Sequence, residues 1–83
     1  MYYFYVLQSQ KNTNWFYKGS TNDLRRRFGQ HAAGEVESTK PYLPVVLFYY
    51  EAYATEEAAR HRESSVKHSG AVWGALMGRL KYF

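Results

Sequence analysis

Five residues of this sequence have types and spacing that could do chemistry together. Arg27 and His31 are four positions apart. On a helix they would lie one turn apart on one side, a fixed cation beside a group that takes or gives a proton. By themselves they are more readily read as a snorkelling arginine paired with Asp23 and a packed core histidine. Glu63 falls between Ala59 and Val66, on what should be the inward stripe of a later helix. A carboxylate taken out of water needs a cation. Arg27 would serve, as would Lys67 four residues further on, or a hard ion such as Mg²⁺, which often uses only one or two carboxylates and keeps waters for the rest. Tyr5 and Tyr17 complete the set, with two hydroxyls that a hairpin would bring to one side of a sheet.

The elements that must position these groups follow from local pattern. Tyr2 to Leu7 is aromatic and β-branched and predicts a strand. The polar stretch Gln8 to Asn14 predicts a turn, and Trp15 to Gly19 the partner strand. Tyr3, Tyr5 and Leu7 then share one face of the first strand, and Trp15, Tyr17 and Gly19 one face of the second. Ser20 to Asp23 offers capping oxygens, and Leu24, Phe28 and His31 recur at helical spacing up to Gly34, a natural stop. Residues 35–44, with two prolines, predict a loop. Val45 to Tyr50 is the most β-prone apolar run and reads as a central strand. Thr55 before two glutamates starts a second helix running to about Ser69, closed by Gly70. Trp73, Leu76, Met77 and Leu80 lie on one face of a short third helix over 72–80, in a C-terminal segment 71–83. The order is ββαβαα, an α+β fold with helices flanking a small three-stranded antiparallel sheet.

Composition bounds the rest. The 83 residues make room for one small domain, 1–83, and a 46% hydrophobic, 19% aromatic content can fill its core. Eleven Lys and Arg against seven Asp and Glu give a net charge of +4, which favours a polyanionic partner. No cysteine is present, so disulfides, thiolate metal sites and cysteine nucleophiles are excluded. The N-terminal apolar run is far short of the roughly 20 residues of a membrane span. The chain is expected to be soluble and cytoplasmic, without membrane contact.

Tyr3-Phe4-Tyr5 and Tyr17-Lys18-Gly19, followed by Arg27 and His31 on one helix and Glu63 on another, resemble the GIY-YIG nuclease domain over residues 2 to about 69. The likeness is to its small stand-alone bacterial members, which are similar to the nuclease module of excision-repair endonucleases. Tyr3 and Phe4 stand where the first motif has Gly and Ile, and Lys18 where the second has Ile. Tyr5, Tyr17 and Gly19 are kept. The resemblance implies that Tyr5 and Tyr17 contact the attacking water or scissile phosphate, and that Arg27 clamps the phosphate. His31 would accept or relay a proton, and Glu63 would bind Mg²⁺ or Mn²⁺. Whether Tyr5 or His31 is the immediate base is left open. The expected activity is metal-dependent cleavage of DNA, in repair or in processing structured DNA.

Such chemistry suits the residue types. In-line attack on a phosphodiester builds negative charge that a guanidinium and a metal can stabilise. A tyrosine, with a pKa of about 10, needs a nearby cation or histidine to lose its proton at neutrality. Lys18, Arg25, Arg26, Lys40 and Lys67 are candidate phosphate contacts, with Arg25 and Arg26 pointing away from the Leu24 and Phe28 stripe. The competing reading is a nucleic-acid-binding module without catalysis, which accounts for the charge and the tyrosines but not for Glu63. So short a chain has little surface for reading base sequence, so any preference is expected to come from a homodimer or a partner protein.

Overall fold

A computed structural model describes residues 1–80. Its elements are β1 (Tyr2–Ser9), β2 (Phe16–Thr21), α1 (Leu24–Ala32), a 3₁₀ turn (Lys40–Tyr42), β3 (Val45–Tyr53), α2 (Glu56–His68) and α3 (Gly70–Leu80). The strands form one antiparallel sheet in the order β2-β1-β3. This is the α+β, ββαβαα arrangement that the sequence pattern predicts. The remainder of the expected C-terminal helix, residues 81–83, lies outside the described residues.

β1, not β3, is the central strand. Its residues Phe4, Tyr5, Val6 and Leu7 are all buried, so both of its faces are covered. Phe4 and Val6 pack with Val66 of α2 and Leu76 of α3, whereas Tyr5 and Leu7 pack with Val45 and against Tyr17, Leu24 and Phe28. Helices therefore cover both faces, α2 and α3 on one and α1 on the other. β3 is equally apolar in sequence, but as an edge strand it leaves Leu47 38% and Tyr50 51% exposed. An apolar run identifies a strand without saying which neighbours it has. β3 also runs three residues beyond Tyr50, and a bulge at Phe48 shifts its register between Val6 and Leu7 of β1.

The helix ends are set locally. Asp23 caps α1 by accepting from the Arg26 amide at 3.1 Å, while Ser20 and Thr21, predicted as part of the cap, are the last residues of β2. Gly34, at φ +78°, ends α1 in a Schellman motif: its amide donates to the His31 carbonyl and the Glu35 amide to that of Gln30, both at 3.0 Å. Thr55 caps α2. Gly70 does not close α2 but opens α3. Ser69, in extended backbone, ends α2, and its side chain accepts the Val72 amide.

Three contacts fasten the β1–β2 turn to the loop before β3, one of them the Gln10 amide donating to the Pro44 carbonyl at 2.8 Å. Ser9, fully buried, donates to the Tyr42 carbonyl at 2.6 Å and accepts from the Lys11 and Asn12 amides. Trp15 stacks on Tyr42 with centroids 3.8 Å apart and planes at 7°. On the α2 side, Glu51 of β3 accepts from both Arg62 Nε and Nη2, at 3.0 and 3.2 Å, and from the hydroxyls of Tyr49 and Tyr53. Among the described residues no helix is long and apolar enough to cross a membrane.

Ser9→Ala leaves two amides and a carbonyl of this junction without a partner. It should lower stability by about 1–3 kcal/mol. For a domain of this size that is a fall in Tm of roughly 4–8 °C per kcal/mol, measurable by thermal denaturation. An unchanged Tm would show that the Trp15–Tyr42 stack and the Gln10–Pro44 hydrogen bond hold the junction without Ser9.

Candidate active site

The alternation of β1 and β2 sends Tyr5 and Tyr17 to the face that α1 covers, and α1 delivers His31 from its last turn to the same place. Ring centroids are 6.3 Å apart for Tyr5 and Tyr17, 5.7 Å for Tyr5 and His31, and 5.1 Å for Tyr17 and His31. Tyr5 Oη lies 2.8 Å from His31 Nε2, and His31 Nδ1 lies 2.8 Å from Thr39 Oγ1. His31 and Thr39 are fully buried.

The proton positions follow from the network. The Thr39 hydroxyl has one proton, and the Val36 carbonyl lies 3.4 Å from its oxygen. With that proton directed to Val36, Thr39 Oγ1 accepts from Nδ1–H, and Nε2 is left as the acceptor for the Tyr5 hydroxyl. Burial, and then the positive charge of Arg27, hold the imidazole down to about 4, so it is neutral at neutral pH. Burial pushes the Tyr5 phenol up to about 12 even though Arg27 beside it pulls the other way. Tyr5 is thus a phenol that donates to a neutral imidazole, beside a guanidinium.

Arg27 is not paired with Asp23. Its Nη1 donates to Gln30 Oε1 at 3.0 Å, and it has no ion-pair partner among the described residues. A cation held by a neutral amide keeps its full charge for an incoming anion.

Gly19 explains how Tyr5, on the central strand, reaches the border of the sheet. A Cβ on Gly19 would sit 2.6 Å from Tyr5 Oη and 2.7 Å from Cζ, so the tyrosine ring occupies the space that a side chain of edge strand β2 would fill. The next residue, Ser20, points to the opposite face. There it donates to Glu63 Oε1 at 2.6 Å, and Lys67 Nζ meets Oε2 at 2.6 Å. Glu63 is therefore not in the core, as its place in the stripe suggests. α2 passes the edge strand at this point, and the Glu63 side chain is 21% exposed.

The structure thus gathers Tyr5, Tyr17, Arg27 and His31 on one side of β2 and sets Glu63 across that strand, with Lys67 and Lys18. Lys18 stands 4.1 Å over the Trp73 ring, and burial and the charge of Lys67 lower its pKa. Arg25, Arg26 and Lys40 are not drawn in. Arg26 is exposed and donates to Asn22, Lys40 opens the 3₁₀ turn, and exposed Arg25 lines a groove of about 550 Å³ with Tyr3 and Tyr50.

The GIY-YIG catalytic domain model matches residues 1–71. The chain belongs to the GIY-YIG family. It is similar to UPF0213 protein SpyM50708 of Streptococcus pyogenes serotype M5 (strain Manfredo) and to UPF0213 proteins MGAS10270_Spy1222 of serotype M2 (strain MGAS10270) and M28_Spy1146 of serotype M28 (strain MGAS6180). Each is 41% identical over 66 residues, covering 78% of this chain and 70% of the relative. No solved structure matches. Membership of this nuclease family implies DNA as substrate and divalent-metal dependence in general terms.

Among these GIY-YIG site neighbours, sequence reasoning missed Thr39, Ser20 and Gln30. Thr39 lies in a loop with no periodicity to mark it as buried. Ser20 has the composition of a helix cap, and only strand register reveals its direction. Gln30 is three residues from Arg27, a spacing at which helical side chains meet.

Two outcomes test this geometry. His31 has a depressed pKa when folded, so its neutral form contributes stability that is full above about pH 6.5 and is lost as pH falls towards 4. Urea unfolding should therefore show a loss between pH 6.5 and 4 that His31→Gln largely removes. A slope unchanged in that variant would assign the loss to other groups. Gly19→Ala should cost about 1–3 kcal/mol, because the new methyl must displace a buried ring. Adding Tyr5→Phe should restore only part of this, since the contact to Cζ persists; full restoration in a melting experiment would mean that the hydroxyl alone is crowded.

Proposed function

We propose that this protein is a divalent-metal-dependent endonuclease that hydrolyses phosphodiester bonds in DNA, with the scissile phosphate seated across the outer edge of β2. One observation carries the reading: the Tyr5 hydroxyl donates to a neutral His31 beside Arg27, over a glycine whose strand neighbour, Ser20, holds Glu63. A phosphate held across that edge would be met by one half from each side.

Tyr5 Oη orients the attacking water. As the water gives up its proton, His31 Nε2 can take the phenol's proton, so the base need not be a tyrosinate with a pKa of about 12. Thr39 holds the imidazole in the tautomer that keeps Nε2 free. Tyr17 lines the same space, and Arg27 binds a non-bridging oxygen, where charge grows in the transition state. Glu63 would hold the metal. One carboxylate with a neighbouring hydroxyl, that of Ser20, and partly exposed to water, fits an ion that uses one or two carboxylates and keeps its waters, and no cluster of three His, Cys, Asp or Glu exists among the described residues. Bound there, Mg²⁺ or Mn²⁺ would supply Lewis-acid stabilisation of the phosphate and leaving oxygen.

The basic residues around the site, Lys18, Lys67, Arg25, Arg26 and Lys40, would neutralise flanking phosphates in a sequence-independent manner. Cytoplasmic processing of damaged or branched DNA, by a homodimer or with a partner that adds specificity, suits so small a site. The second reading, a DNA-binding module without catalysis, draws on the Lys67 contact, which satisfies Glu63 without a metal.

Cleavage of a panel of linear and branched DNA with Mg²⁺ or Mn²⁺ separates the two readings. Glu63→Gln should abolish metal-dependent cleavage while keeping DNA affinity within a few-fold. Arg27→Ala should lower the single-turnover rate at saturating DNA by roughly 10²- to 10³-fold, with little rescue by Lys, which lacks the planar two-toothed grip. Arg25→Ala and Arg26→Ala should weaken binding and reduce its salt slope by about one unit each, with the saturated rate nearly unchanged. Equal rate losses in all three arginine variants would favour the binding module.

A further inference from the structure

α2 carries two Glu–basic pairs at i, i+4, and they differ in kind. Glu56 and Arg60 are 3.3 Å apart with side chains 54% and 71% exposed, an ordinary solvated pair. Glu63 and Lys67 are 2.6 Å apart with side chains 21% and 39% exposed, and the second carboxylate oxygen is held by Ser20. Lys18, braced on Trp73, lies near enough to Lys67 for its pKa to fall further. Lys67 thus meets the Glu63 carboxylate while lying near a second ammonium, that of Lys18. Lys67 Nζ occupies Oε2, and an ammonium and a divalent ion on one carboxylate repel each other, so each weakens the other's hold.

We propose that Lys67 is a resident competitor for the metal at Glu63: it holds the carboxylate in the metal-free protein and, when displaced by a divalent ion, becomes a ligand for the DNA phosphate. This rests on the reading of Glu63 as the metal ligand. Ser20 keeps its bond to Oε1 throughout, so the carboxylate stays aimed at the edge of β2 while its partner on Oε2 changes. Lys67 sits one helical turn from Glu63 on a four-carbon stem, long enough to swing from the carboxylate towards a phosphate bound along the strand. Metal and DNA then favour each other's binding through one side chain, because the metal frees a cation that the DNA uses. Without metal, Lys67 is engaged and adds little to DNA affinity.

The test uses two binding measurements on the full chain, neither of which depends on cleavage. The first is Mn²⁺ affinity without DNA, read from the electron paramagnetic resonance signal of free Mn²⁺, for wild type, Lys67→Met, Glu63→Gln and the double variant, each checked by thermal melting. Lys67→Met should tighten Mn²⁺ binding about three- to tenfold, the scale of a partly exposed ion pair removed together with a nearby like charge. Glu63→Gln should abolish binding in both backgrounds. The second is metal-free binding of a fluorescent DNA duplex at several salt concentrations. Lys67→Met should leave affinity within about twofold when Glu63 is present. In the Glu63→Gln background, where Lys67 is free, it should weaken binding several-fold and remove about one unit of salt slope. Mn²⁺ affinity unchanged or weakened by Lys67→Met overturns the proposal, as does an equal loss of DNA affinity in both backgrounds. Mn²⁺ binding that survives Glu63→Gln instead removes the metal-ligand assignment itself.

Discussion

A fully buried imidazole has to satisfy two nitrogens without water, and the architecture around the site follows from that requirement. One nitrogen of His31 faces Tyr5 on the central strand, and the other faces Thr39 in the connection between α1 and β3. Neither partner can shift without stranding the ring. The Schellman turn at Gly34 starts the connection in the right direction, and Ser9 and the Trp15–Tyr42 stack fasten its far end to the hairpin. A loop that would otherwise be free to drift becomes part of the histidine's surroundings, because its buried Thr39 hydroxyl fixes the ring's tautomer.

The same strand pairing makes the site two-sided. Successive residues of β2 face opposite layers, so an edge strand crossed by a substrate phosphate presents groups from both. Tyr17 belongs to one layer and Lys18 and Ser20 to the other, while Gly19 contributes nothing to either and lets the Tyr5 ring through. A glycine here is required by close approach rather than by backbone conformation, since its φ is not in the left-handed region. The small sheet thereby brings a hydroxyl of its central strand to the edge strand, which a side chain at position 19 would block.

Much of this was legible in the sequence, for identifiable reasons. Alternation placed Tyr5 and Tyr17 on one face because register in a short hairpin leaves little choice, and helical spacing joined Arg27 to His31 because both lie within two turns. The family motif tied these to Glu63, which no local pattern could do. What stayed hidden depends on contacts between distant segments. β3 has the composition of a central strand yet lies at an edge, since strand order is decided by which strand both neighbours pair with. Thr39 looks like any loop residue until the loop folds over α1. Glu63 was placed in the core by the helical stripe, but α2 reaches past the edge of the sheet, so the same stripe is buried at Val66 and open at Glu63.

The placement of Glu63 does not depend on the groups that touch it. Arg62, its neighbour, forms a two-toothed ion pair with Glu51 of β3, shared by the hydroxyls of Tyr49 and Tyr53 and lying over the Phe4 ring. With that pair on the β3 side of α2, and Ala59 and Val66 against the sheet, the helix cannot rotate. A step of about 100° then carries Glu63 towards β2. The arginines divide accordingly. Arg62 spends its charge on a carboxylate and fixes a helix, whereas Arg27 is braced by an amide and keeps its charge. Because α2 is anchored by Arg62, losing the Lys67 contact would not loosen the fold that presents the carboxylate at the edge of the sheet.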